Sequence, residues 1–132
     1  MTKKQIIDVP GLSAGMEAAD IPLSSVVRAN GMLYLSGMPP LDPLSGAILK
    51  DLSIAAQTRV CLENIRHVLE SADSSMEKIV SVRVYCSDPT QFATVNSVYR
   101  TFFPSHPPAR TFIPVASWQM GFEVEIECIA LA

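Results

Sequence analysis

Phe122-Glu-Val-Glu-Ile-Glu-Cys128 alternates strictly between apolar and acidic residues. Successive side chains of an extended strand point to opposite faces. Phe122, Val124, Ile126 and Cys128 therefore share one face and Glu123, Glu125 and Glu127 the other, with neighbouring carboxylates about 7 Å apart. One side of this strand demands a core and the other presents three carboxylates. Ile129 and Leu131 continue the acidic face, so the pattern predicts that it turns apolar and buried toward its end. A carboxylate at such a boundary needs a cation, or titrates above its usual range toward the values useful to a general base. A plain solvated sheet face has the same pattern.

Upstream of Gly121, Thr111 to Ser117 reads as another strand, and Ile79-Val-Ser-Val-Arg-Val-Tyr-Cys86 is β-branched and nearly continuous, as a central strand is. Between these two, Asp88-Pro89-Thr90-Gln91 offers a capping residue, a proline at the first helical position and a capping-box partner. The helix it starts carries Phe92, Val95, Tyr99 and Phe102 on a stripe read as core, and Pro104 ends it. A longer amphipathic helix spans about 51–72, with Ile54, Cys61, Ile65, Val68, Leu69 and Ala72 on its apolar side. Asn30-Gly31 joins the runs 25–29 and 32–36, the strongest short hairpin signal there is, because both residues tolerate positive φ. Pro39, Pro40 and Pro43 make 37–46 a loop. Ile6, Ile7 and Val9 suggest a short first strand, with mostly loop from there to Pro22.

The order β, ββ, α, β, α, ββ describes a mixed α/β (α+β) domain covering 1–132. Its two helices cover one face of the sheet, and the other face must meet solvent or a neighbour. Hydrophobic residues at 48% against 17% charged, with a mean hydropathy of +0.27, favour a neighbour. Ten Lys and Arg against 13 Asp and Glu give a net charge of −3, which supplies no basic field to recruit nucleic acid. No signal-peptide core or membrane span is evident, and a cytoplasmic protein is expected.

Cys61, Cys86 and Cys128 are odd in number and widely spaced, unlike a disulfide framework or a zinc site. Cys61 and Cys128 fall on core stripes. Cys86 closes a buried strand, where a nucleophile is disfavoured. His67 and His106 have no evident nucleophile and third partner, and metal- and phosphate-binding motifs are absent. Arg110, in Pro107-Pro108-Ala109-Arg110, presents a planar fork suited either to a substrate carboxylate or to an ion pair with one of the glutamates. Asn96 stands beside an apolar stripe, where a buried amide needs partners.

Asn30-Gly31, Leu35-Ser36-Gly37, Pro40-Leu41-Asp42-Pro43, Gln57-Thr58, Leu62-Glu63-Asn64-Ile65, Phe92-Ala-Thr-Val-Asn96, Pro108-Ala109-Arg110 and Val124-Glu125-Ile126-Glu127 together resemble the RidA (YjgF/YER057c/UK114) family, from about Pro22 to Ala130. The resemblance implies a chorismate-mutase-like fold assembled as a homotrimer, with sheets toward the centre, helices outside and active sites between subunits. It implies hydrolysis of reactive enamines and imines, such as 2-iminopropanoate and 2-iminobutanoate, to 2-keto acids and ammonia, without metal or cofactor. Arg110 would clamp the substrate carboxylate and Glu125 would activate water. Ser36, Gly37 and Asn96 match positions beside the pocket.

Three departures stand out. Leu23 occupies the place of a common tyrosine, and Phe112 that of a common cysteine, while Trp118-Gln119 replaces a usual Leu-Pro. A pocket with Leu23 and Phe112 would be more apolar and suit a bulkier substrate. The alternatives are a catabolic deaminase of a larger, aminomuconate-like conjugated enamine, a non-catalytic carboxylate-binding or chaperone-like protein, and an endoribonuclease or translation inhibitor. The last of these lacks the Lys/Arg clusters that phosphate binding needs.

Overall fold

A computed structural model describes residues 3–132. Six strands form one sheet in the order β1-β2-β3-β6-β4-β5: β1 is Gln5–Ile6, β2 Val26–Ala29, β3 Met32–Leu35, β4 Ile79–Cys86, β5 Ala109–Pro114 and β6 Val124–Leu131. All neighbours are antiparallel except β4 and β5. The sheet is therefore mixed, and its centre is the acidic strand β6, held between β3 and β4. The last two strands in sequence do not pair with each other, because β4 lies between them.

The hairpin of β2 and β3 turns at Asn30 (φ 52°) and Gly31 (φ 75°), both left-handed as the two-residue turn requires. Helix α2, Ile54–Ser71, begins where the Ser53 hydroxyl accepts the Ala56 N–H at 3.2 Å. Its apolar stripe, from Cys61 through Ile65 to Leu69, packs with Val84, Val124 and Ile126 of the sheet in one core. Asp88 caps the helical segment that follows β4 by accepting both the Thr90 N–H (3.0 Å) and its hydroxyl (2.6 Å). A single 3₁₀ turn over Pro89–Gln91 precedes the α-helix proper, Phe92–Phe102. The two expected helices thus lie over one sheet face.

Three expectations are corrected. The stretch before Pro22 is not mostly loop: Leu12–Ala18 forms a short helix, α1, which makes the C-terminal α-helix α3. Its sequence signal is only Leu12 and Met16, four residues apart among small residues. The burial of Leu12 in the core does what local propensity does not. Phe92 is not core, since its ring is 46% exposed at the start of α3. Finally, the acidic face of β6 does not close over at its end. Leu131 is 47% exposed, and Tyr34, in the row of Ile129, is nearly as open. That side of the sheet carries an uncovered apolar strip next to its carboxylates.

A register shift in β4 between Ile79 and Ser81 leaves Val80 without a partner on β6 and turns it outward. Beyond it, Val82, Val84 and Cys86 face the helices, while Ser81, Arg83 and Tyr85 face the open side with the glutamates.

Candidate functional site

The chain leaving β3 does not turn away from the sheet. Met38 and Ile126 exchange backbone hydrogen bonds of 2.7 and 3.1 Å, extending the pairing along β6 past the end of β3. This lays Gly37 directly over the Glu125 side chain. A Cβ at Gly37 would sit 2.8 Å from Glu125 Cδ, closer than such atoms approach, and a tight 3.2 Å from its Cγ, so only glycine fits with the carboxylate in place. Burial under this segment raises the Glu125 pKa above the ordinary carboxylate value. The nearby indole of Trp118 opposes the rise, and the neighbouring charge of Glu127 adds to it. Glu125 has no cationic partner among the described residues.

Glu127, two residues on, is held differently. It accepts a short hydrogen bond from the Tyr85 hydroxyl and pairs with Arg83 at 3.7 Å. Strand β6 thus carries one charge-compensated carboxylate and one half-buried and uncompensated carboxylate side by side on the same face.

Two cavities meet at Glu125. One of about 310 Å³, of mixed polarity, is lined by Gly37, Tyr85, Val115, Ser117, Trp118, Glu125 and Glu127. A larger one of about 380 Å³ runs from Glu125, Gly37 and Trp118 toward α1, between Met16, Leu23 and Met120. Ser36 secures this wall: its hydroxyl donates to the Ser24 carbonyl (2.6 Å) and its N–H to the Ser25 carbonyl (3.0 Å), which fixes the segment bearing Leu23. Trp118 stacks on Phe122 with ring centres 4.6 Å apart. Sequence reasoning singled out Ser36, Gly37, Leu23 and Glu125 here, and the structure brings them together. It missed α1, Met120 and Tyr85, which only packing places beside Glu125.

Arg110 lies elsewhere. Its partner across β4 is Val82, which pairs with Cys128, whereas Glu125 pairs with Tyr85 and shares a row with Ile113. Cys128 and Glu125 are an odd number of residues apart, so Arg110 and Glu125 project from opposite faces of the sheet. The guanidinium lies over the rings of Tyr99 (4.8 Å to the centroid) and Phe92 (5.5 Å) on α3. Phe112, on the same face, meets Phe92 edge to face at 5.1 Å. Asn96 shares the helix stripe of Phe92 and Tyr99. Its Oδ1 and the Tyr99 hydroxyl are buried without partners, the kind of unmet polarity that a polar ligand can satisfy. Arg110 forms no ion pair among the described residues, so within one chain it is not tied to a glutamate.

The candidate residues therefore form two half-sites, Ser36, Gly37, Leu23 and Glu125 on one side of the sheet and Asn96, Arg110 and Phe112 on the other. The cysteines belong to neither half. Cys61, Cys86 and Cys128 are buried, and desolvation raises all three thiol pKa values, Cys128 to about 12. No group of three or more His, Cys, Asp or Glu side chains among the described residues is placed to hold a metal. No helix there is long and apolar enough to cross a membrane.

A single α+β domain with a six-stranded mixed sheet, two helices on one face and a carboxylate-bearing central strand under a glycine loop defines the YjgF-like class of fold. Residues 15–132 match the family described as Endoribonuclease L-PSP, and the chain belongs to this RidA/YjgF/L-PSP family. It is 38% identical over 117 residues to a 2-iminobutanoate/2-iminopropanoate deaminase of Salmonella typhimurium, covering 86% of this chain and 90% of that one. Among solved structures, a conserved Rid-family protein, YyfA, from Yersinia pestis superposes with a TM-score of 0.89 at 32% identity, covering 98% of this chain and all of the other. The YjgF gene product of E. coli gives 0.84 at 31%, with 98% of each chain covered.

Proposed function

We propose that the protein hydrolyses 2-imino and 2-enamino acids to 2-keto acids and ammonia, at sites completed between copies of the chain in a homotrimer. The observation that carries this reading is Glu125, a half-buried carboxylate with a raised pKa, no cationic partner and two cavities opening at its side chain. Such a group takes a proton from water at the moment a nucleophile is needed. Water adds to the protonated imine carbon, its proton passes to Glu125, and the tetrahedral carbinolamine forms. Glu125 returns the proton to the amine nitrogen. As the C–N bond breaks, the carbinolamine hydroxyl gives its proton to Glu125, which passes it to the departing ammonia, so a 2-keto acid and ammonium are released and Glu125 is again a carboxylate. The cationic imine is already electrophilic, and the carboxylate beside it stabilises developing positive charge.

Arg110 supports the two-copy arrangement. Its unpaired guanidinium, with Asn96 and Phe112 beside it, is suited to a substrate carboxylate but faces away from Glu125 in its own chain. A neighbouring copy that covers the open sheet face, where Tyr34 and Leu131 are exposed, brings one copy's Arg110 to another's Glu125. The Salmonella relative bears the name of this activity. A larger enamine as substrate is the second reading, favoured by the apolar cavity beside Leu23.

The test generates 2-iminobutanoate in situ with a threonine dehydratase and follows its lifetime. The protein shortens it, and Arg110→Ala loses most of the effect. No acceleration by the wild type, or undiminished acceleration by Arg110→Ala, overturns the reading.

A further inference from the structure

The two cavities that meet at Glu125 differ in chemistry. The smaller is mixed, with Tyr85, Ser117 and the two glutamates beside Val115 and Trp118, whereas the larger is walled by Leu12, Met16, Leu23, Met38, Met120 and Phe122, with Glu125 as its sole ionisable lining group. Leu12, Met38 and Phe122 are buried core residues, so this wall is fixed by the fold. Leu23 and Met120 form its outer rim and are 43% and 48% exposed, open to a ligand from the mouth. Apolar surface of this extent beside a reacting carboxylate gains free energy only from an apolar occupant, and it penalises a second charge through desolvation.

We infer that this cavity receives the side chain of the substrate, selecting 2-imino acids that carry a long, branched or aromatic apolar side chain over those with a methyl or ethyl group and over dicarboxylates. The inference rests on the hydrolytic reading for the reaction, but the cavity's preference can be read without it. Gly37, Trp118 and Glu125 line both cavities, so a ligand with C2 at Glu125 has the space bounded by α1 open to its side chain. Its volume of about 380 Å³ exceeds what a methyl or ethyl group fills. Every further methylene removed from water strengthens binding about fourfold.

Trp118 is the chain's one tryptophan and lines the cavity, so its fluorescence reports occupancy. The experiment titrates the intact protein with pyruvate, 4-methyl-2-oxopentanoate and 2-oxoglutarate, stable keto acids that differ only in the side chain. The branched compound binds more tightly than pyruvate by roughly tenfold or more, and the dicarboxylate binds no better than pyruvate. Leu23→Asp and, separately, Met120→Asp bring the ratio of the first two toward one. Both positions are at the rim, and a thermal melt of each variant verifies its fold. Equal affinities in the wild type, a preference for 2-oxoglutarate, no saturable signal with any of the three, or an unchanged ratio in both variants overturns the inference. A side-chain preference without imine hydrolysis removes the proposed reaction and leaves the cavity assignment standing, and hydrolysis without the preference does the reverse.

Discussion

Gly37 and Glu125 are packed so that the glycine backbone closes over the carboxylate, leaving no space for even a methyl group between them. The contact exists because Met38 pairs with Ile126 and draws the loop along β6. Gly37→Ala must displace either the loop or the carboxylate, and the side chain moves more easily. Imine hydrolysis is expected to fall roughly tenfold or more, as misplacing a reacting group by a fraction of an ångström commonly does. The unfolding midpoint should change little. Rate and thermal melt measured on one preparation check this.

Glu125→Gln keeps the shape and removes the charge. Loss of a general base lowers the rate on the order of 10² to 10⁴-fold. Stability moves the other way. Burial raises the folded pKa of Glu125 above its unfolded value, so the folded chain holds this proton more tightly than the unfolded chain does. The resulting cost is absent below the unfolded pKa, grows as pH rises through the folded pKa and is complete above it. The variant should therefore melt higher than wild type at neutral pH, with the difference vanishing in acid. The acid limb of the wild-type rate profile should sit above an ordinary glutamate value.

If Arg110 and Glu125 act across a subunit boundary, two dead variants can rescue each other. Arg110→Ala and Glu125→Gln, each inactive alone and co-expressed in equal amounts, should recover about one quarter of wild-type activity, since random assembly pairs an intact Arg110 with an intact Glu125 at that fraction of interfaces. A site confined to one chain gives no rescue.

Gln57 is fully buried and carries the stability of the acidic strand's entry. Its Nε2 donates to the Lys50 and Leu52 carbonyls (3.2 and 2.9 Å), and its Oε1 accepts the Glu123 N–H at 2.8 Å. Gln57→Leu leaves those groups without partners, at a cost of about 1–3 kcal/mol for each one that water cannot reach. A lowered denaturation midpoint with an unchanged denaturant slope is the expected result.

The local signals of the sequence were read from patterns that act over a few residues. Asn30-Gly31 prescribes its turn, Asp88-Pro89 starts a helix, and the 3- and 4-residue recurrence from Ile54 to Ala72 makes α2 whatever surrounds it. Helix α1 had too little of such a pattern, because its formation depends on docking Leu12 against distant residues. The resemblance named Ser36, Gly37 and Leu23 beside Glu125, but the apolar cavity they share with Met16 and Met120 joins segments about 100 residues apart in sequence.

By itself the sequence determined that residues 122–128 form a strand with an apolar face and an acidic face, since side-chain alternation is a property of any extended chain. It could not say which glutamate is desolvated, or that Arg110 faces away from it. Those were decided when β6 took its place between β3 and β4 and β5 joined β4 from the other side. Strand order and register, which assign every side chain in a sheet to one face or the other, are set by contacts between distant segments and exist only in the folded chain.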